Sequence, residues 1–325
     1  MTRINTTSCN FFCGFRVEFS YSLTANLRRC IMTITTHKRP ILLFAALFGL
    51  ACSASANLWL SDSFHVGSNN YSEAFLGNQN PTTMTPGAGD DFTAYNAAWN
   101  ADAFGAQFGE PVVVSSGLSY TGILSGGGAI RMERTAANSL SKDGSISLTG
   151  TPSGSEGDSV YFSYLLQLGG AGHAFAGIQI GPSGTKDVIA WGMNSNGNAE
   201  IRTDGDLVAT STTTFDVDQT VFIVGEILRD GSNTAFLYLN PVTNSGKPAQ
   251  ATLEADIGTL GWFPSQALAV LEFEALLNPN TAATYFDEFR IGESWESVTP
   301  IPEPGTLVLV GIALGSLLLF RKRRG

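Results

Sequence analysis

An all-β fold is predicted for the body of this chain: a two-sheet antiparallel sandwich of the jelly-roll type, between an N-terminal signal peptide and a C-terminal transmembrane helix. Three observations predict it. Apolar residues recur with period 2 over long runs, which places them on one face of a strand. Gly-rich turns follow one another at short spacing, as in sandwiches and barrels. Only 14% of the 325 residues are charged and 36 are Gly, too few charges and too many glycines for a helical bundle or coiled coil. The net charge of −10 argues against nucleic acid as a partner, because its phosphates would be repelled.

The strands can be taken in order. Val160, Phe162, Tyr164, Leu166 and Leu168 alternate with Tyr161, Ser163, Leu165 and Gln167, and Ala174, Ala176, Ile178 and Ile180 repeat the pattern. Asp204-Gly205 sits between the segments 199–203 and 206–209, and Asp-Gly reaches positive φ at little cost, as a tight hairpin requires. In the next strand Val221, Ile223, Gly225 and Ile227 share one face, with Phe222, Val224 and Leu228 on the other. The tetrapeptide Asp230-Gly231-Ser232-Asn233 then turns the chain into a strand over 234–239. Later strands are expected over 267–276 and 284–291. The one helical expectation is a turn or two around Phe92–Phe104.

The N-terminus reads as a processing signal. Met32 opens a short basic stretch ending Lys38-Arg39, followed by the apolar run from Ile41 to Ala51 and by Ala54-Ser55-Ala56. Small residues at Ala54 and Ala56 predict signal-peptidase cleavage before Asn57. The run is short for a membrane span. An uncleaved anchor or core helix, and a lipoprotein signal ending at Cys52, are the alternatives; for the latter, Gly49 stands where a Leu is expected. Residues 1–31 hold three of the four Cys and no recognisable leader, which suggests that translation begins at Met32.

At the other end, Pro302-Glu303-Pro304-Gly305 leads into an apolar stretch from Thr306 to Phe320, closed by Arg321-Lys322-Arg323-Arg324. Prolines interrupt regular structure, a short apolar helix inserts with bilayer thinning, and the basic cluster stays cytoplasmic. An ordinary single-pass anchor is the plain alternative. This tripartite tail resembles the PEP-CTERM sorting signal of Gram-negative bacteria. The resemblance implies recognition of Pro302, Glu303, Pro304 and Gly305, with the basic Arg321–Arg324, by an exosortase. That enzyme is a membrane-embedded cysteine transpeptidase, and it would cut off the tail. The implied route runs from an inner-membrane-anchored intermediate to the envelope, outer surface or medium, in association with exopolysaccharide and biofilm. Expected partners are therefore exosortase, signal peptidase, the inner membrane and polysaccharide.

Residues 57–301 carry eight Lys+Arg against 26 Asp+Glu, a formal charge of −18, and no Cys. The domain is held without disulfides, and thiol catalysis and Cys-based zinc sites are excluded. The order of Asp62-Ser63-Phe64, then 159–164, then 236–241, then Tyr285-Phe286-Asp287-Glu288-Phe289-Arg290-Ile291-Gly292 resembles the concanavalin A-like (laminin-G-like) sandwiches. The resemblance covers most of 57–298. It implies that the closing strand pairs near the N-terminal one, with Glu293–Ile301 as a stalk.

Candidate chemistry is sparse. His65 and His173 have no partner at metal-binding spacing and read as surface or turn residues. No Gly-x-Ser-x-Gly elbow occurs. Gly181-Pro182-Ser183-Gly184-Thr185-Lys186 lacks the Gly-Lys-Ser/Thr of a phosphate loop and reads as a turn. Sandwich glycosidases use two carboxylates about 5 Å apart. Glu272 and Glu274, two apart on one strand, offer such a pair, but Leu277 stands where the next acid of the Glu-x-Asp-x-x-Glu pattern is expected. The plain reading is a strand with Leu271 and Phe273 in the core and its polar face in solvent. Asp204 with Asp206, Asp216 with Asp218, and Asp287 with Glu288 could contribute oxygens to a structural calcium, though two-acid clusters in an acidic domain are generally solvated surface. Trp99, Trp191, Trp262 and Trp295 either stack on sugar rings or fill the core. The expected function is that of an exported, non-enzymatic envelope or matrix protein that binds glycan, needing no cofactor. A polysaccharide hydrolase and a purely structural coat protein are the alternatives.

Overall fold

The structure, a computed structural model, describes residues 4–11, 15–24 and 27–34 and then most of 58–299, the longest undescribed intervals of that span being 100–110, 149–158 and 258–269. The chain divides into two units, Met1–Ala54 and Ser55–Gly325. In the first unit, β1 (Ile4–Phe11), β2 (Phe15–Thr24) and β3 (Leu27–Ile34) form an antiparallel sheet in the order β1-β2-β3. Phe11 lies opposite Phe15 and Thr24 opposite Leu27, so both connections are short. Met32 to Ile34, the start of the expected signal segment, end β3. Ala54, Ala56 and Asn57 lie outside the described residues, as do Pro302 to Gly305 and Arg321 to Arg324. The expected transmembrane helix over 306–320 lies outside them too; among the described residues no helix is long and apolar enough to cross a membrane.

The second unit is built from strands β4 (Leu58–Asp62), β5 (Val112–Val114), β6 (Ala129–Met132), β7 (Leu140–Ser147), β8 (Ser159–Leu168), β9 (His173–Gly181) and β10 (Ile189–Met193). They are followed by β11 (Asn198–Thr203), β12 (Asp206–Thr214), β13 (Thr220–Leu228), β14 (Thr234–Leu239), β15 (Leu253–Asp256), β16 (Val270–Leu277) and β17 (Thr284–Gly292), and by one helical turn, α1 (Trp295–Val298). Two antiparallel sheets result. The six-stranded sheet runs β12-β11-β10-β9-β16-β7, and the eight-stranded sheet runs β15-β14-β13-β8-β17-β6-β5, with β4 also paired to β17. The sandwich fold class and the pairing of the closing strand with the N-terminal one are as expected.

Period 2 accounts for the layering. Val160, Phe162, Tyr164 and Leu166 of β8 face Ile178, Ile180, Trp191 and Phe273 of the other sheet in one continuous core. Phe273 stands at its centre, meeting the rings of Phe64, Phe286 and Phe289 edge-on at 5.7, 5.3 and 5.6 Å. Such ring pairs add about 0.5–1.5 kcal/mol each beyond the area they bury. Trp191 crosses between the layers, its Nε1 donating to the Phe236 carbonyl at 3.1 Å while its own carbonyl accepts from the Tyr164 hydroxyl at 2.7 Å. Ala174 is the exception to its run: it is exposed, near the start of β9.

The Asp204-Gly205 hairpin forms as expected, with φ of 50° and 86° at its two turn residues. Strands β13 and β14 pair as expected as well, although most of the turn between them, and most of the segment 92–104, lie outside the described residues. The stalk is corrected. Trp295, Ser297, Val298 and Thr299 are buried, because α1 folds back onto the outer face of the eight-stranded sheet. Tyr161, Leu165, Phe222, Val224 and Tyr238 on that face give it an apolar surface to cover.

Candidate functional site

The outer face of the six-stranded sheet is the polar face singled out by Glu272 and Glu274. Register aligns Glu200, Gly192, Gly177 and Glu274 across β11, β10, β9 and β16, with Asp143 of β7 paired to Glu274. A Cβ at either Gly177 or Gly192 would lie 2.7 Å from Cζ of Phe175, so glycine is required where that ring lies across the sheet. The Arg202 guanidinium stacks on the ring, 4.6 Å from its centroid. Arg202 is held by the Glu200 carboxylate at 2.6 Å, and Asn194 donates to the other Glu200 oxygen at 2.6 Å. Glu274 is half-buried and accepts a hydrogen bond from the Gln179 amide, while Leu271 and Phe273 fill the core as the alternation requires. The face thus carries two polar groups, Glu200 with Arg202 and Asn194, and Glu274 with Gln179; Glu200 and Glu274 stand three strand spacings of about 4.8 Å apart, with the Phe175 ring between them.

A second pair of acids, buried Asp62 and half-buried Asp90, has no role in the sequence analysis. Asp62, at the end of β4, accepts hydrogen bonds from the Tyr71 hydroxyl at 2.5 Å, the Tyr95 hydroxyl at 2.8 Å and the Phe64 amide at 2.8 Å. Trp99 Nε1 in turn donates to the Tyr71 hydroxyl at 3.1 Å. Next to it, Asp90 accepts from the Ser63 amide and hydroxyl at 2.9 and 3.0 Å. Burial pushes the Asp62 carboxyl up to about 7; the Asp90 charge adds to this and the three donors oppose it. The signal in the sequence was Asp62-Ser63-Phe64 itself, an acid closing a run of core residues.

Asp287 and Glu288, expected at the surface, are buried at a β-bulge in the middle of β17, where Glu288 takes φ of 51°. Asp287 accepts from the Leu118 amide at 2.8 Å and the Glu288 amide at 2.7 Å. Its carboxyl is raised well above the ordinary range by burial first and the Glu288 charge second. The bulge bends β17 so that one edge serves β6 with its first half and β4 with its second.

A further buried acid, Glu226, has no role in the sequence analysis. Glu226 is fully buried on the outer face of β13. Its oxygens accept from the Tyr161 hydroxyl at 2.8 Å and the Tyr238 hydroxyl at 3.0 Å, and Lys247 Nζ reaches them at 2.7 and 2.6 Å. The Lys247 ammonium also lies 5.7, 5.6 and 5.9 Å from the ring centroids of Tyr161, Phe236 and Tyr238. Burial and the Glu226 carboxylate raise both tyrosine hydroxyls. A lone Glu inside the apolar run Val221–Leu228 was the available signal.

The remaining expectations resolve as follows. Trp99, Trp191 and Trp295 are core residues and offer no stacking platform, and Trp262 lies outside the described residues. His65 is exposed, and His173 opens β9. Asp204, Asp206, Asp216 and Asp218 are exposed, as the surface reading expects. Among the described residues no group of three or more His, Cys, Asp or Glu could hold a metal ion.

Comparison with known proteins adds the tail. Solved structures similar to this chain include the globular domain of T. cruzi calreticulin, at 12% identity over 72% of this chain and 96% of that one, with a TM-score of 0.42. A glycosyl hydrolase family protein from Mycobacterium fortuitum is 11% identical over 72% of this chain and 99% of its own, with a TM-score of 0.41. A lectin from Bauhinia forficata in complex with GalNAc is 12% identical over 50% and 86%, with a TM-score of 0.35. No curated protein matches the chain. A family model does match its end: residues 300–324 are a PEP-CTERM protein-sorting motif, which makes this chain an exported, exosortase-sorted protein with an antiparallel β-sandwich as its body.

Proposed function

We propose that this is a cell-envelope or extracellular-matrix protein whose sandwich is a non-enzymatic, glycan-binding module serving exopolysaccharide and biofilm. The sorting motif at 300–324 carries the reading. In it, signal peptidase cleaves before Asn57 of a precursor begun at Met32, and the segment 306–320 holds an inner-membrane intermediate. Exosortase then reads Pro302, Glu303, Pro304 and Gly305 together with the basic cluster Arg321–Arg324. Support for a glycan partner comes from the part-exposed polar groups of Glu274, Gln179 and Arg202 on this face, which suit a polyhydroxylated chain lying across strands. A non-enzymatic role is supported by Leu277 at the position of the third acid and by the hydrogen bond that ties Glu274 to Gln179.

Mass spectrometry of the mature C-terminus, from cells with and without exosortase, tests the sorting route. A product lacking the apolar and basic segments 306–325, formed only when exosortase is present, is expected; extracellular molecules still ending in Arg321–Gly325 would overturn it. Binding to purified polysaccharide, with Glu274→Gln and Arg202→Gln for comparison, tests the module. The hydrolase alternative rests on Glu272 and Glu274 standing two apart on β16. Polysaccharide cleavage by the wild type that either Glu272→Gln or Glu274→Gln abolishes would replace the binding reading with it.

A further inference from the structure

The sandwich ends in a small clasp. Trp295 packs on Tyr238 and Tyr161 with ring centroids 5.0 and 6.4 Å apart, and Val298 joins the same cluster. Among the described residues two hydrogen bonds tie the clasp to the domain: Ser163 Oγ to the Val298 carbonyl at 2.6 Å, and Trp295 Nε1 to the Ser245 carbonyl at 3.3 Å. The others are local. Ser294 and Ser297 form a reciprocal capping box, and Thr299 bonds the Trp295 carbonyl through its amide at 2.9 Å and its hydroxyl at 2.7 Å. Thr299 is 2% exposed, and the sorting motif begins at the next residue.

Chain length makes this junction tight. Three residue steps from Thr299 to Pro302 span at most about 11 Å, roughly the diameter of one helix with its side chains. A docked clasp therefore holds the whole sandwich against the motif that a membrane-embedded enzyme must read. Released from the end of β17 at Gly292, the same chain reaches about 35 Å, enough to stand the domain clear.

We propose that the segment from Trp295 to Thr299 is a latch that undocks from the eight-stranded sheet before exosortase engages the tail. The proposal rests on the sorting reading above. Because its helical bonds are local and, among the described residues, two bonds and two apolar side chains hold it to the domain, it can leave as a unit while the β-ladders stay intact. Exosortase then meets a competent tail only in the undocked fraction, and its apparent affinity is lowered by that fraction.

The test uses the full chain in cells with and without exosortase, following conversion of precursor to product by pulse-chase. A Gly-Ser-Gly-Ser insertion between Thr299 and Pro300 supplies the reach with the clasp still docked, and Trp295→Ala frees the clasp. The insertion is expected to shorten the precursor half-life about fivefold or more. Trp295→Ala should do the same, and the two combined should add nothing further. An insertion that leaves the rate unchanged, or slows it, overturns the latch. Should Trp295→Ala unfold the domain, as protease sensitivity would show, the insertion alone decides. Loss of all processing in the wild type would instead sink the sorting reading.

Discussion

Replacing Asp62 by Asn removes one titrating carboxyl from the core and leaves a side chain of nearly the same shape. In the folded protein that carboxyl titrates at about 7, against 3.8 for its ordinary value, because burial outweighs the donors Tyr71, Phe64 and Tyr95. The folded state thus holds the proton more tightly than the unfolded chain. Its stabilising contribution is complete below pH 3.8 and is lost as the pH rises to about 7. The interval of about 3 pH units, at about 1.4 kcal/mol each, amounts to about 4 kcal/mol, of which about 3 kcal/mol falls between pH 5 and pH 8. Urea unfolding of the sandwich domain across that range, wild type against Asp62→Asn, measures it. Asp287 shifts in the same direction and is present in both proteins; the Asp62 charge is the smallest cause of its shift, so the difference reports Asp62 together with that minor coupling. The variant should gain on the wild type by about 3 kcal/mol from pH 5 to pH 8. A difference that is flat, or that favours the wild type as pH rises, would refute the reasoning and make Asp62 an ionised acceptor whose three donors dominate.

Lys247→Met should cost about 1–3 kcal/mol in thermal unfolding by leaving Glu226 buried without its cation, discounted because the lysine is partly exposed; Lys247→Met with Glu226→Gln should recover part of the loss. Gly192→Ala should destabilise by about 1–3 kcal/mol through collision with the Phe175 ring and the neighbouring strand, read from the urea midpoint. Gly205→Val should cost about 1–2 kcal/mol at its φ of 86°, with Gly205→Asn costing less, and calorimetry distinguishes the two.

Some of this protein is written in short stretches of chain. Strand direction follows from alternation, because successive side chains leave opposite faces of a strand whatever lies beyond. The Asp204-Gly205 hairpin follows from the backbone freedom of its own two residues. The sorting motif is legible for the same reason, since it is contiguous. Other features needed partners far away in the chain. Asp287 and Leu118, 169 residues apart, meet only because the closing strand enters the middle of the eight-stranded sheet. Asp62 is buried by Tyr71, Tyr95 and Trp99, and Glu226 by Tyr161, Tyr238 and Lys247, so the apolar residues beside each acid in the chain hint at burial but do not name the partners that make it tolerable. Trp99, Trp191 and Trp295 turned inward, and the stretch expected to be a stalk folded back as a clasp, because β8 and β13 are apolar on both faces. Alternation marks where apolar side chains lie along a strand; only the assembled sheets decide what covers each face, because that contact is made through space rather than along the backbone.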